Sequence, residues 1–377
     1  MIKLIATAEA QGFGPASQLL SILRPFLKNI DFFGTGTCYE YLKNNGLNVK
    51  ELDLIKDYEI CSKLLSQYDI LITVMDSRAA LLAKYIGLKV VYIDLIFSLF
   101  NIKESFNYYK HISGLIIKDE SKLRKLIEHN KNNYNRDFMN QRAKRSIFSH
   151  ILSDKNFSIE FLPCTKKNNC FLKKTNCVFT EPILDQNIFE LEKSAFENNK
   201  LVVSLGGMQK QNNYSNLIRQ VLFKLNVDFK KLNLLNQKNY FKQIQNSKII
   251  LCTPGFSIVY ELLFLNKILL ILPAQNAGQI KFVDYLKQNL SKEQFISWED
   301  FFEIKHDLWA YMNHVENEMN TSKELSSKIS SKILEQYNKI NDDELKDKII
   351  KKQKSFLKRI NLSNGKDIQK ELQKLIQ

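Results

Sequence analysis

The chain has no run of about eighteen or more apolar residues, so no segment of it reads as a membrane-crossing helix. Its opening, MIKLIATAEAQGFG, lacks the charged stretch, apolar stretch and cleavage site of a secretory leader. It reads as a β-strand, and a cytoplasmic location is expected. The six cysteines (Cys38, Cys61, Cys164, Cys170, Cys177 and Cys252) include no C-x-x-C pair. Cys164, Cys170 and Cys177 cluster without a histidine and at intervals unlike those of zinc sites. Reduced thiols, and no metal, are therefore expected. Acidic residues are too few to balance the basic ones, 40 against 55, a net charge of +15. The lysines are scattered, and aromatics do not interleave with them as on a single-strand-binding surface. No nucleic-acid partner is expected; peripheral contact with an anionic membrane is the contact this charge would suit.

What is present is an alternation of strand-like and helix-like segments long enough, at 377 residues, for two α/β domains. Ile2–Ala6, Asp31–Phe33, Asp69–Met75 and Lys89–Ile93 read as strands, and His111–Lys118 as a further candidate. Asp69–Met75 (DILITVM) shows no alternation, as expected of a parallel strand buried on both faces. Helices are predicted after Gly14, with Pro15 in the first turn, and over Ser77–Ile86. The pattern weakens from Ser121 to Lys174, and the run Cys164–Cys177 reads as an interdomain crossing. Val178–Ile183 then opens a second series, with a strand at Leu201–Leu205, Gly206-Gly207 after it, and a helix over Tyr214–Phe223. The expected fold class is α/β, with two Rossmann-like doubly wound domains in tandem at 1–165 and 175–310. A helical, Lys-rich extension over 311–377 would lie exposed or pack at an edge. The two-domain plan called GT-B, with a central cleft between the domains, is the natural candidate.

The segment Ser247–Gln279, SKIILCTPGFSIVYELLFLNKILLILPAQNAGQ, is the most informative. It reads as strand, Pro-Gly break, amphipathic helix, strand and polar loop. The break presents backbone N–H groups at a helix start, which suits a diphosphate on Gly255, Phe256 and Ser257, beside Thr253. Glu261 falls between one and two turns into the helix, where a carboxylate accepts hydrogen bonds from ribose hydroxyls. The amides of Gln275, Asn276 and Gln279 suit sugar hydroxyls, which both donate and accept. Gly206 and Gly207 would let a phosphate or sugar approach the backbone.

The first loop, AEAQGFGPAS, superficially resembles a dinucleotide fingerprint, but Ser17 stands at the third glycine position and no acidic residue closes the second strand. No cofactor is therefore expected. Gln11, Gly12 and Gly14 are candidate acceptor-binding residues. Glu9 is the candidate general base, able to take a proton from an acceptor if burial raises its pKa. Asp76 and Asp94 also end strands. Both are therefore alternatives for the base and either could equally cap a helix, though Asp76, followed by Ser77, reads better as a cap.

On these residues the second domain resembles nucleotide-sugar glycosyltransferases of the GT-B type, including the enzyme that adds N-acetylglucosamine in lipid II synthesis. In that family a Gly-containing turn, a ribose-binding Glu in the next helix and a Gln-rich loop after a Pro correspond to Gly255, Glu261, Pro273 and Gln275–Gln279. The ordered segments GFGPASQLLSIL, FFGTGT, AALLAKYIGLKVVYID, VVSLGGM, CTPGFSIVYE and LPAQNAGQ resemble the cytosylglucuronate synthases more closely. Those enzymes join a UDP-sugar to a free pyrimidine. This chain departs from them in its first loop, with Gln18 where a lysine would stand. The resemblance implies an inverting, metal-independent transfer from a UDP-sugar to a small-molecule acceptor, a nucleobase or a natural-product intermediate. The rival readings are a UDP-sugar epimerase or hydrolase of the same fold, and a non-catalytic binding protein using the basic tail.

Overall fold

The computed structural model describes residues 2–128, 136–190, 202–204, 213–225, 230–231, 240–241, 244–245, 247–303, 308–321 and 324–376. The chain divides into two compact units, residues 1–185 with 363–377, and residues 186–362.

The first unit runs β1 (Leu4–Ala8), α1 (Phe13–Leu23), β2 (Ile30–Gly34), α2 (Gly36–Asn44), β3 (Val49–Glu51), α3 (Tyr58–Leu65), β4 (Ile70–Val74), α4 (Ser77–Tyr85) and β5 (Lys89–Asp94). It continues through α5 (Phe106–Ile116), α6 (Glu120–Glu128), α7 (Arg136–Leu152), β6 (Lys155–Ile159), α8 (Lys166–Lys174) and β7 (Val178–Thr180). The strands form one parallel sheet in the order β3-β2-β1-β4-β5-β6-β7. Every residue of β1 and β4 is buried, because helices cover both faces of a parallel sheet. The order reverses between β1 and β4, paired Leu4 to Ile70 through Ala8 to Val74. A ligand crevice opens beyond the carboxyl ends of strands at such a reversal.

The second unit contains α9 (Gln186–Glu190), β8 (Val202–Ser204), α10 (Asn213–Lys224), β9 (Lys230–Lys231), β10 (Ile249–Cys252), α11 (Phe256–Phe264), β11 (Ile268–Ile271) and α12 (Ala277–Lys287). Helices α13 (Leu308–Thr321), α14 (Leu325–Ile340) and α15 (Asp343–Arg359) follow, and α16 (Lys366–Ile376) belongs to the first unit. The parallel sheet of the second unit has the order β11-β10-β8-β9, reversing between β8 and β10. The α/β class with two doubly wound sheets is thus as expected. Among the described residues no helix is long and apolar enough to cross a membrane.

Four expectations about organisation are corrected. His111–Lys118 is not a strand but falls on α5 and the turn after it. Ser105 caps that helix by accepting from the Tyr108 N–H at 3.2 Å, and Phe106 and Tyr109, three apart, share Phe171 at ring distances of 5.4 and 6.0 Å. Val178–Ile183 does not open a second series: β7 pairs with β6, Phe157 opposite Val178, and closes the first sheet. The run Cys164–Cys177 is no crossing either but contains α8, pinned where Asn168 Nδ2 donates to the carbonyls of Phe97 (2.9 Å) and Phe100 (3.0 Å).

The boundary at 311 also differs from the observed division. Leu325, Ile329 and Ile333, spaced one helical turn apart on α14, are fully buried in one cluster with Ile218, Leu251 and Leu270, together with Ile340 and with Ile349 from α15. Each such side chain contributes about 1.5–3 kcal/mol by burial, so these helices are core rather than a detachable tail. α16 packs on the first unit, with Gln369 Nε2 donating to the Ile22 carbonyl at 3.2 Å and Lys155 paired to Glu371 at 2.7 Å.

Candidate functional site

In the second unit the reversal of strand order falls at the Pro-Gly break. The Thr253 N–H donates to the Ser204 carbonyl at 3.1 Å, tying the end of β10 to the end of β8. Pro254 then centres a tight turn closed by Gly255 N–H to Thr253 O at 2.8 Å. Gly255 is the N-cap of α11 and has no side chain with which to cap it. The first N–H groups of α11 are therefore presented at the sheet's carboxyl end, at the positive end of the helix dipole. Phe256 anchors that turn against Phe282, ring centroids 4.7 Å apart. Glu261 is only 5% exposed, and Thr253 1%.

The loop after β11 is held on every side. The Leu272 N–H donates to the Cys252 carbonyl (2.8 Å), Tyr214 Oη to the Pro273 carbonyl (2.8 Å) and Trp298 Nε1 to the Ala274 carbonyl (2.7 Å). Burial pushes the Tyr214 phenol well up, keeping it a donor. Asn276 caps α12 by accepting from the Gln279 N–H at 3.0 Å, and Gln279 Oε1 in turn accepts from the Gln275 N–H at 2.7 Å. The oxygens of Asn276 and Gln279 thus hold the loop's shape, a reciprocal capping that the sequence reading had not assigned them. Gly206 and Gly207 lie outside the described residues.

In the first unit the reversal collects Glu9 from the end of β1 and Asp76 from the end of β4. The Glu9 N–H donates to the Val74 carbonyl at 3.0 Å. Gly12, at φ 83°, turns the chain into α1, with Gly14 in its first turn and Gln11 exposed before it. Thr37 clasps this loop, its Oγ1 donating to the carbonyls of Ala10 and, at 3.1 Å, Gly12. Gly36 leaves room for the clasp: a Cβ there would stand 3.2 Å from the Ala10 carbonyl oxygen, at an unfavourable φ of 56°. Gln18 is fully buried in α1 and donates to the Ile183 carbonyl at 2.9 Å. Met75 takes a left-handed φ of 62° just before Asp76, a conformation that costs a non-glycine residue about 1–2 kcal/mol. Asp76 caps α4 as expected, accepting from the N–H groups of Arg78 (3.2 Å) and Ala79 (3.1 Å).

Helix α7 brings to this point a set of residues that the sequence reading missed. Arg142 pairs with Glu9, each side chain about a tenth exposed. Arg145, Ser146, Ser149 and His150 are all buried. Asp94, 1% exposed, accepts from Ser146 Oγ and from the Ile96 N–H at 2.8 Å, with His150 Nε2 at 3.3 Å. Burial opposes its charge, but these partners, His150 foremost, hold its pKa below the ordinary value. Glu9 moves the other way: burial raises its pKa and Asp76 adds to the rise, outweighing the opposing charge of Arg142. Spacing i, i+3, i+4, i+7, i+8 from Arg142 to His150 was the available signal, a polar stripe where a sheet-packed helix normally carries an apolar one.

Among the described residues no group of three or more His, Cys, Asp or Glu side chains is placed to hold a metal ion. No protein-family profile and no curated protein matches the chain. Solved structures do show likeness of chain course. A spinosyn forosaminyltransferase, SpnP, aligns at 10% identity and a TM-score of 0.43, over 89% of this chain and 95% of its own. MurG of Acinetobacter baumannii aligns at 12% and 0.41, over 93% and 99%. Os79 of O. sativa, solved with U2F and a trichothecene, aligns at 9% and 0.47, over 94% and 100%.

Proposed function

We propose that the protein is a GT-B glycosyltransferase that moves a sugar from a UDP-sugar to a small-molecule acceptor, with inversion and without a metal. The observation that carries this is the coincidence, in the second unit, of three features: the strand-order reversal, the Gly255 helix start and the buried Glu261. The first N–H groups of α11 would hold the diphosphate, Glu261 the ribose, and Gln275, Asn276 and Gln279 the sugar or phosphate. A loop with so many backbone constraints supports recognition of a fixed sugar geometry. Gly206 and Gly207, which follow β8 in the sequence, remain proposed donor contacts.

The first unit would hold the acceptor. Glu9 would remove the acceptor's proton as its nucleophilic atom attacks the anomeric carbon, while the bond from that carbon to the diphosphate oxygen breaks. The departing UDP takes up negative charge at the start of α11, where backbone dipoles stabilise it. Asp94, enclosed by Ser146, His150 and the Ile96 N–H, would orient α7 rather than touch the acceptor. Gln11, Gly12 and Gly14 would contact the acceptor from the loop that Thr37 clasps. The resemblance to cytosylglucuronate synthases makes a nucleobase one acceptor to try.

The test is UDP release from a panel of UDP-sugars with and without an acceptor library. Release that requires an acceptor, together with a glycosylated product, is the expected result. Donor consumed equally fast without any acceptor would instead identify a hydrolase or epimerase.

A further inference from the structure

The loop after β11 is braced by more than is needed to leave a strand and enter a helix. The segment that carries Trp298 runs beside β11 and touches it at successive points. Gln294 Nε2 donates to the Leu269 carbonyl at 3.3 Å, the Ile296 N–H to the Ile271 carbonyl at 2.9 Å, and Trp298 Nε1 to the Ala274 carbonyl at 2.7 Å. The first two bind the strand itself, where Phe295 bridges to Ile271; the third reaches past the strand into the loop. Tyr214, from α10, takes the preceding carbonyl, that of Pro273, at 2.8 Å, and its ring meets the Trp298 ring edge-on at 6.3 Å. Two buried side chains thus hold two consecutive carbonyls.

The Ala274 carbonyl and the Gln275 N–H belong to one planar peptide group. Trp298 holds that plane by its oxygen, and Gln279 Oε1 accepts from its N–H at 2.7 Å. The amide plane of Gln279 is therefore set, through a single peptide, by the indole of Trp298. Its oxygen faces the loop, since only an acceptor can face that N–H, and its –NH2 group lies on the other edge. Tyr214 fixes the peptide before it in the same way.

We propose that Trp298 and Tyr214 are positioning residues that set the preference of this site among UDP-sugars, by holding the peptide that orients the Gln279 amide. The inference rests on the reading of the second unit as the donor side. Both residues belong to the apolar cluster that includes Leu217, Ile280 and Val315, so they act through the loop and not on the donor. An amide held in one orientation separates sugars that differ at a single group, because a mismatched group leaves a polar partner unpaired. An amide free to turn accepts them more evenly. UDP carries no sugar, so its affinity does not depend on this orientation.

The experiment is calorimetric titration of the full chain with UDP, UDP-glucose, UDP-glucuronate and UDP-N-acetylglucosamine, for wild type, Trp298→Phe and Tyr214→Phe. Each variant keeps an aromatic ring in the core and loses the donor to the loop carbonyl. Wild type should rank the sugars. Both variants should bind UDP as wild type does, while the ratio between the tightest and the weakest sugar falls towards one. Gln279→Ala should lose the same discrimination, and Trp298→Phe added to it should lose no more, because the two act in series. An unchanged ratio in both variants, a wild type that binds every sugar alike, or losses that add in the double variant overturns the proposal. Uniform weakening of UDP and every sugar overturns it too, leaving the two residues a role in folding alone. Should Trp298→Phe fail to fold, Tyr214→Phe carries both comparisons. No UDP binding to wild type would sink the donor reading and this inference with it, whereas UDP bound equally by all three proteins with unaltered discrimination sinks this inference alone.

Discussion

Replacing Glu9 by Gln is expected to lower the rate of transfer by about 10²–10⁴-fold, the contribution of a positioned general base. Donor binding should be unchanged, because Glu9 lies at the end of β1 in the first unit. The pH profile supplies the second readout. Only the ionised carboxylate accepts a proton, so activity falls as pH drops through the Glu9 pKa. Burial raises that pKa and Arg142 opposes the rise. The acidic limb of the wild-type profile therefore lies above the ordinary carboxylate range. Arg142→Gln removes the opposing charge and should move the limb to higher pH still. Steady-state rates across pH for the three proteins check both statements. A Glu9→Gln variant with near wild-type rate would return the base to another residue.

Asp94→Ala is expected to cost about 1–3 kcal/mol of stability at neutral pH for each buried donor left unsatisfied. The change leaves Ser146, His150 and the Ile96 N–H without their shared acceptor, at a site almost closed to water. The sign with pH follows from the depressed pKa. Above the ordinary aspartate value the native state gains from the ionised carboxylate, and this gain is lost as pH falls through the lower folded-state value. The wild type should thus show an acid-side loss of stability that the variant lacks. Denaturant titrations at several pH values measure both. A variant that keeps its stability and loses its activity would make Asp94 a chemical rather than a positioning group.

The strands β1, β4 and β5 were legible because their apolar runs are continuous, and a parallel sheet buries both faces of such runs. The strand β6 was not. Its sequence, KNFSI, carries Asn156, whose Nδ2 finds its acceptors only in the fold, the carbonyls of His150 (2.8 Å) and Thr175 (3.2 Å). α5 misled because HISGLIIK reads as a β-branched run, while the Ser105 cap and the aromatic spacing that decide for helix lie upstream. The extension failed for a different reason. Lysines dominate α15, but the isoleucines among them outweigh the charge once burial is counted.

The elements of the proposed donor site could be read together because they are local: break, helix and loop follow one another within about thirty residues. The face of α7 was hidden because its parts are distant, with Glu9 more than a hundred residues from Arg142. A polar stripe on a helix reads as a solvated face until its burial is known. Asn276 and Gln279 show the same limit on a smaller scale, since side chains suited to sugar hydroxyls were also suited to capping a helix.

The most direct measurement is calorimetric titration of the purified protein with UDP and a series of UDP-sugars, beside Glu261→Ala. The proposed donor site predicts micromolar binding to the wild type, weakened by about 1–3 kcal/mol, roughly five- to 150-fold, when the hydrogen bonds to a charged acceptor are lost. Absence of binding to UDP and every UDP-sugar, or equal affinity in the variant, would contradict the assignment of the second unit as the nucleotide-sugar site.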